Sequence, residues 1–208
     1  MPSFSVAQST NASYTPSYIP TALITGATSG IGEAITKSLA KHLHGRAHLI
    51  LVGRNQAAAE AIIAALPPSA KDSTYEFLAC DVSLMKNVHA LGKDLLGRLP
   101  KLNFLVHSAG VFGLLGREDT EEGLDKKLAS RYYARWALTN DLLPLLRKAK
   151  DLGEPASVLS VLGAGMASQV DLDDLGLKKT YSGSKAMGRS LSYNDLMVAV
   201  SSLQIKFP

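Results

Sequence analysis

The sequence predicts an α/β fold in which one doubly wound parallel β-sheet lies between two layers of helices. Short apolar runs alternate along the chain with segments whose apolar residues recur at helical spacing, which is the order that builds parallel β-α-β units. The run over 47–52 is almost continuously apolar, as expected for a strand buried on both faces. A length of 208 residues suits one domain.

The predicted elements follow a flexible tail at 1–18, a stretch without apolar periodicity, and form a domain over 19–208. The predicted strands are 21–25, 47–52, 74–79, 103–107 and 156–161, and a sixth begins within 203–207. The predicted helices are 31–43, 56–66, 88–95, a long one at 124–146, and 184–202.

Composition excludes several classes of protein. With 46% hydrophobic and 19% charged residues the chain is not expected to be disordered. The net charge is +4, but the basic residues are scattered beside acidic neighbours, which favours a solvated surface over a nucleic-acid site. We find neither a signal peptide nor a run long enough to span a membrane. The single cysteine, Cys80, predicts a reducing, cytoplasmic location. His42 and His44 lack further ligands, so no metal site is expected.

A glycine-rich turn joins the first strand to the first helix. Amide groups at a helix N-terminus attract phosphate, provided that no Cβ blocks its approach. We expect Gly26 to permit the tight turn, Gly30 the close approach and Gly32 the packing of helix on sheet. The predicted cofactor residues of this turn are Gly26, Thr28, Ser29, Gly30, Ile31 and Gly32. A plain glycine-rich loop is the alternative, but the ordered strand, helix and next strand favour a Rossmann-type, three-layer α/β/α domain that binds a nucleotide cofactor.

The ends of the next two strands bear on the choice of cofactor. Arg54 follows the second strand where an acidic residue would bind a ribose hydroxyl, so we predict NADP(H) rather than NAD(H). A plain surface charge is the alternative for Arg54. Asp81 follows the third strand and is predicted to accept from the adenine amino group; capping of the following helix is the alternative, and both roles could hold at once.

Three segments resemble the short-chain dehydrogenase/reductase family, and the resemblance covers 21 to about 205. They are the glycine turn, the segment 107–110 that resembles the family's Asn-Asn-Ala-Gly, and a Tyr-x-x-x-Lys pattern at Tyr181 and Lys185. The resemblance implies that His107, Ala109 and Gly110 bind cofactor. It also implies that Tyr181 is the catalytic acid-base and contacts the cofactor, and that Lys185 lowers the pKa of Tyr181 and holds the nicotinamide ribose.

The Tyr-Lys assignment assumes that both residues lie on one helix, where positions four apart share a face. Ser160 is the nearest hydroxyl to the family's catalytic serine, although alignment of the fifth strand puts Gly163 there. The family's helix asparagine falls at Arg131. An insert at 171–175 also allows a second register, in which Met187 and Leu191 occupy the catalytic positions and transfer no proton.

The resemblance implies an NADP(H)-dependent oxidoreductase acting on a small-molecule carbonyl or alcohol. The most similar branch is common in fungal specialised metabolism, which implies a polyketide- or terpene-like substrate. A homodimer through the long helix is also implied, with no nucleic-acid or membrane partner. The chain looks C-terminally shortened, without the family's substrate lid and last strand. The rival hypothesis is a cofactor-binding or scaffolding relative without redox turnover.

Overall fold

The computed structural model describes residues 2–111, 116–163 and 165–204. The strands of this part of the chain are β1 Thr21–Thr25, β2 His48–Gly53, β3 Thr74–Ala79, β4 Phe104–His107 and β5 Ser157–Ser160. The α-helices are α1 Phe4–Ser13, α2 Gly30–His42, α3 Gln56–Ala64, α4 Met85–Arg98, α5 Lys126–Leu128, α6 Ala134–Asp151 and α7 Gly183–Gln204. A π-helical turn, Ala129–Tyr133, joins α5 to α6, and a 3₁₀ turn covers Leu172–Asp174.

All five strands are parallel and lie in the order β3-β2-β1-β4-β5. The chain therefore builds outward from β1 to β3, then returns and places β4 on the other side of β1. Thr25 at the end of β1 is level with Val52 on one side and His107 on the other. In such sheets, ligands bind beyond the carboxyl ends of the strands where the order reverses, so the topology points to the β1/β4 edge.

The core consists of two layers, one on each face of the sheet. Leu23 faces the cluster formed with α4 and α6, whereas its neighbours Ala22 and Ile24 face the cluster formed with α2 and α3. All three side chains are 0% exposed. This alternation is the period-two pattern of a strand that is covered on both faces. It confirms the predicted three-layer α/β/α domain.

The structure corrects three details of the prediction. Residues Phe4–Ser13, predicted as tail, form helix α1, although none of them is buried. The predicted helix 124–146 is instead α5, the π-helical turn and α6, and it continues to Asp151. The predicted sixth strand is wrong over 203–204, which belong to α7, and its remaining residues lie outside the described part of the chain. No described helix has the length and apolarity that crossing a bilayer requires.

Candidate cofactor cleft

The three glycines of the turn after β1 have different steric reasons to lack a side chain. Gly26 has φ +74°, and a Cβ there would lie 2.6 Å from the backbone nitrogen of Ala109. A Cβ on Gly32 would lie 2.2 Å from the carbonyl oxygen of Gly26. Gly30 has φ +57° but no atom within 4 Å of the position of its Cβ. Gly26 and Gly32 therefore allow the turn to pack, whereas Gly30 leaves open space at the N-terminus of α2.

That open space belongs to a cleft of about 480 Å³ at the carboxyl edge of the sheet. Nine predicted cofactor residues line it: Gly26, Thr28, Ser29, Gly30, Ile31, Arg54, Asp81, Ala109 and Gly110. Ser29 precedes α2 without making a side-chain capping bond, so the first amides of that helix are not capped by it. Such amides lack partners within the helix and lie at the positive end of its dipole. The cleft therefore combines free donors with positive potential.

Arg54 and Asp81 face each other across the outer part of the cleft. The Arg54 side chain is 70% exposed, and its Nη1 is 3.8 Å from Asp81 Oδ2. Asp81 Oδ1 accepts bonds from the backbone and the hydroxyl of Ser83 at 2.9 and 2.7 Å. Burial raises the pKa of the Asp81 carboxyl, but the bonds from Ser83 and the charge of Arg54 outweigh it and hold the pKa below its usual value. At neutral pH this site therefore presents one cation and one anion.

The N-terminus of α4 is capped by a residue other than Asp81. The Glu122 carboxylate accepts from the backbone nitrogens of Met85 and Lys86 at 2.6 and 2.9 Å. The alternative of Asp81 as the helix cap was wrong, because its carboxylate closes a short turn onto Ser83 before α4 begins. Glu122 is distant in sequence, and no local pattern pointed to it.

Four predicted cofactor residues do not line the cleft: Gly32, His107, Tyr181 and Lys185. Gly32 lies beneath the turn. His107 is 1% exposed, and its Nε2 is 3.0 Å from Thr139 Oγ1 on α6. Burial and the positive charge of Arg135 lower the pKa of His107 to about 3, so its ring is neutral. The cleft instead includes Ser108 and Ser130, which sequence reasoning missed although both adjoin residues it had singled out.

This geometry agrees with a known protein family. The family described as short chain dehydrogenase matches residues 20–194. The chain belongs to the short-chain dehydrogenase/reductase family. Its curated relatives include the oxidoreductase AN1596 of Emericella nidulans, which is 35% identical over 146 residues, covering 70% of this chain and 43% of that protein. The oxidoreductase andH of Emericella variicolor is 37% identical over 134 residues, covering 64% of this chain and 39% of that protein. The chain thus spans less than half the length of these relatives.

Solved structures of the family share the fold. A metagenomic short-chain oxidoreductase in complex with NADP has a TM-score of 0.65 at 22% identity, covering 89% of this chain and 75% of that chain. A short-chain dehydrogenase from Streptomyces avermitilis has a TM-score of 0.64 at 23% identity, covering 91% of this chain and 62% of that chain. At these identities the likeness establishes the fold alone.

The structure does not place the Tyr-x-x-x-Lys residues in the cleft. Helix α7 begins at Gly183, so Tyr181 precedes it, and the premise that Tyr181 and Lys185 share a helix face was wrong. The Tyr181 hydroxyl instead accepts a bond of 3.0 Å from Lys127 Nζ. Lys185 is exposed. Burial raises the pKa of Tyr181, opposite to the lowering expected from Lys185.

The end of β5 also lacks the expected hydroxyl at the cleft. Ser160 is the last residue of β5, and its Oγ is buried with no hydrogen-bond partner in the described part of the chain. A Cβ on Gly163 would lie 3.5 Å from Met166 Sδ and 3.9 Å from Leu191 Cδ1. Leu191 on α7 thus lies close to Gly163, which aligns with the family's serine. Leu191 is also one of the two residues at the catalytic positions in the second register. Within the described residues we find no cluster of three metal-ligating side chains.

Arg131 occupies the position of the family's helix asparagine. It lies in the π-helical turn, where its Nε donates to the carbonyl of Val111 at 3.1 Å. A Cβ on Gly110 would lie 3.4 Å from Arg131 Cγ, so this cleft-lining glycine allows the arginine to pack against the loop after β4. One turn later, Arg135 is 3% exposed and donates to the carbonyls of Ala109 and Val161, each at 3.0 Å.

Proposed function

We propose that the protein is an NADP(H)-dependent oxidoreductase that transfers hydride between the nicotinamide ring and a carbonyl or alcohol substrate. The observation that carries this proposal is the convergence of the glycine turn, Arg54 and the loop after β4 on one cleft at the switch point of the sheet. The relatives named above are oxidoreductases, and one solved neighbour is in complex with NADP. This chain spans less than half the length of these curated relatives, so the activity of the whole protein is also proposed.

The residues of the cleft fit a dinucleotide. The space above Gly30, which a Cβ would fill, accommodates a pyrophosphate against the first amides of α2. Thr28 and Ser29 line the same part of the cleft and offer hydroxyl donors. Asp81 Oδ2 faces the cleft mouth and offers an acceptor for the adenine amino group, since its other oxygen holds Ser83.

Arg54 favours NADP(H) over NAD(H). A guanidinium presents a planar fork that matches a phosphate, and this one is largely exposed. Asn55, the next residue, caps α3 by accepting from the backbone nitrogen of Ala58 at 3.0 Å, so it is already engaged. No carboxylate follows β2 to bind a ribose hydroxyl.

The inner end of the cleft would receive the nicotinamide half. When bound, the nicotinamide supplies or accepts the hydride. Around this end lie Ala109, Gly110, Val111 and Val161, which are small or apolar. An apolar small molecule is therefore the substrate class that we favour, and a polyketide- or terpene-like compound fits this class.

Nicotinamide fluorescence titration tests the cofactor assignment. We expect NADPH to bind more tightly than NADH, and Arg54→Gln to weaken NADPH roughly tenfold while leaving NADH unchanged, because one charge-assisted contact contributes about 1.5 kcal/mol. The matched control is Arg147→Gln, which removes an exposed arginine of α6 that does not line the cleft. Equal affinities of the wild-type protein for the two cofactors would refute the role of Arg54.

A second candidate is a cofactor-binding relative without redox turnover. It is favoured by the position of Tyr181, whose hydroxyl is bonded to Lys127 rather than facing the cleft. The catalytic roles of Tyr181, Lys185 and Ser160 stay predictions of the sequence. A protein that binds NADPH but leaves a panel of ketones unreduced would support this second candidate.

Tyr181→Phe tests the acid-base assignment directly. Because the bond to Lys127 would be lost from a partly buried site, we expect a loss of unfolding free energy of about 1 kcal/mol and little change in any ketone turnover. Abolished turnover with unchanged NADPH affinity would restore Tyr181 to the catalytic role.

The cellular and oligomeric predictions are also part of the proposal. The single cysteine favours a cytoplasmic location. For the homodimer we retain α6 as the candidate contact helix, which size-exclusion chromatography with light scattering would test.

A further inference from the structure

The segment that carries Arg131 is built in an unusual way. Residues Ala129–Tyr133 form a π-helical turn between α5 and α6. Such turns insert an extra residue into a helix and are frequent at functional sites. This one places Ser130 in the lining of the cleft and Arg131 against Gly110, which also lines it. The turn is fastened to α7, because Asn194 Nδ2 donates to the carbonyl of Arg131 at 2.8 Å.

One edge of the Arg131 guanidinium is fixed and the other edge is free. Its Nε donates to the Val111 carbonyl. Among the described residues neither Nη nitrogen has a hydrogen-bond partner, and neither is fully buried. A guanidinium held by one nitrogen still presents two parallel donors, which is the geometry that a carboxylate accepts. The guanidinium is therefore already held in one orientation before a ligand binds.

Two arginines give this part of the described structure positive charge. Arg131 and Arg135 lie one helical turn apart, and neither is in an ion pair among the residues that the structure describes. Both Nη atoms of Arg135 are used on backbone carbonyls, and its Nε is buried without a partner. A cation buried without a counter-ion is costly, and a bound anion would offset that cost.

Apolar side chains also adjoin this site. Val111 and Val161 line the inner end of the cleft, and a Cβ on Gly163 would make ordinary van der Waals contact with Met166 and Leu191. A ligand for this end therefore combines an acid group with an apolar body.

We propose that the Arg131 guanidinium binds a carboxylate of the substrate, so that the protein acts on apolar carbonyl compounds that carry an acid group. This inference rests on the proposed function, since it assumes that the nicotinamide half of the cofactor lies at the same end of the cleft. Arg131 thus takes the position of the family's helix asparagine but serves recognition rather than proton relay.

The test measures binding rather than turnover. The probes are benzoylformate, benzoylpropionate and benzoylbutyrate, each paired with its primary amide, and they are titrated calorimetrically into protein saturated with oxidised NADP, so that no reduction occurs. We expect at least one acid to bind roughly tenfold or more tightly than its amide, as one bidentate charged contact provides. Equal binding of all acids and amides, or no binding of any probe, overturns the proposal.

Variants assign that preference to Arg131. Arg131→Gln is expected to abolish the preference for the acid, Arg131→Lys to retain part of it, and the exposed control Arg147→Gln to leave it unchanged. The melting temperature of each variant checks its folding, and the acid-to-amide comparison in the wild-type protein needs no variant at all. An unchanged preference in folded Arg131→Gln contradicts the assignment.

The affinity for oxidised NADP separates this inference from the proposed function. We expect Arg131→Gln to change it less than twofold. A tenfold loss would mean that a cofactor phosphate is the anion, and would overturn the substrate assignment. If the wild-type protein itself does not bind the cofactor, the proposed function fails; if it binds the cofactor but does not discriminate acids from amides, only the present inference fails.

Discussion

Gly30→Ala separates the folding of the glycine turn from its proposed role in binding. With φ at +57°, alanine would be strained by about 1–2 kcal/mol, while the reduced entropy of the unfolded chain returns about 0.4–1 kcal/mol. No atom lies within 4 Å of the new Cβ, so no clash is added. We therefore expect a net loss of about 1 kcal/mol, which lowers the melting temperature of a chain of this length by about 2–4 °C.

The same substitution should prevent cofactor binding. The Cβ would occupy the space through which a pyrophosphate reaches the first amides of α2. Loss of two charge-assisted amide bonds costs about 3 kcal/mol, or roughly a hundredfold in affinity for NADPH. The control is Gly97→Ala on the exposed side of α4, where nothing lies within 4 Å and alanine is expected to stabilise the helix by up to about 1 kcal/mol. NADPH affinity of Gly30→Ala within twofold of wild type, measured by fluorescence titration, would refute the reasoning.

Two further predictions concern stability. Gly26→Ala should lower the free energy of unfolding, measured in urea, by about 3 kcal/mol or more. The new Cβ would lie 2.6 Å from the backbone of Ala109, and the residue would also be strained at φ +74°. A loss comparable to that of Gly30→Ala would contradict this. His107 has a lower pKa when folded, about 3, than its ordinary value of 6.5, so the unfolded chain binds the proton first as pH falls. The contribution of His107 to the free energy of unfolding is fully present above pH 6.5 and is lost as the pH falls toward 3. The loss amounts to about 2 kcal/mol between pH 7 and pH 5. The variant His107→Asn should lack this dependence of stability on pH. If urea unfolding gave parallel pH profiles for the variant and the wild-type protein, this prediction would be disproved.

Local pattern was sufficient to predict the sheet and the turn. Strands β1 and β2 are short apolar runs that are buried on both faces because helices cover both sides of the sheet, so their sequences already indicate where they lie. The turn was predictable because its glycines are partly a local requirement: Gly26 has a positive φ, and a Cβ on Gly32 would meet the carbonyl oxygen of Gly26.

The premise that Tyr181 and Lys185 share a helix depended on where that helix begins. Spacing alone put Tyr181 and Lys185 on one face of a helix, but α7 begins two residues after Tyr181. The apolar pattern itself predicted a helix from 184, so the assignment needed that helix to begin three residues earlier. The bond between Tyr181 and Lys127 joins residues 54 apart in sequence, so no local pattern could report it.

The sequence by itself determined the three-layer fold, the turn after β1 and half of the residues that line the cleft, because these follow from backbone sterics and from apolar periodicity. Only the tertiary structure decided that Tyr181 packs against Lys127, that Glu122 caps α4, and that Arg131 lies against Gly110. Each of these is a contact between side chains or termini far apart along the chain, and their energies depend on distance and burial, which are properties of the folded molecule alone.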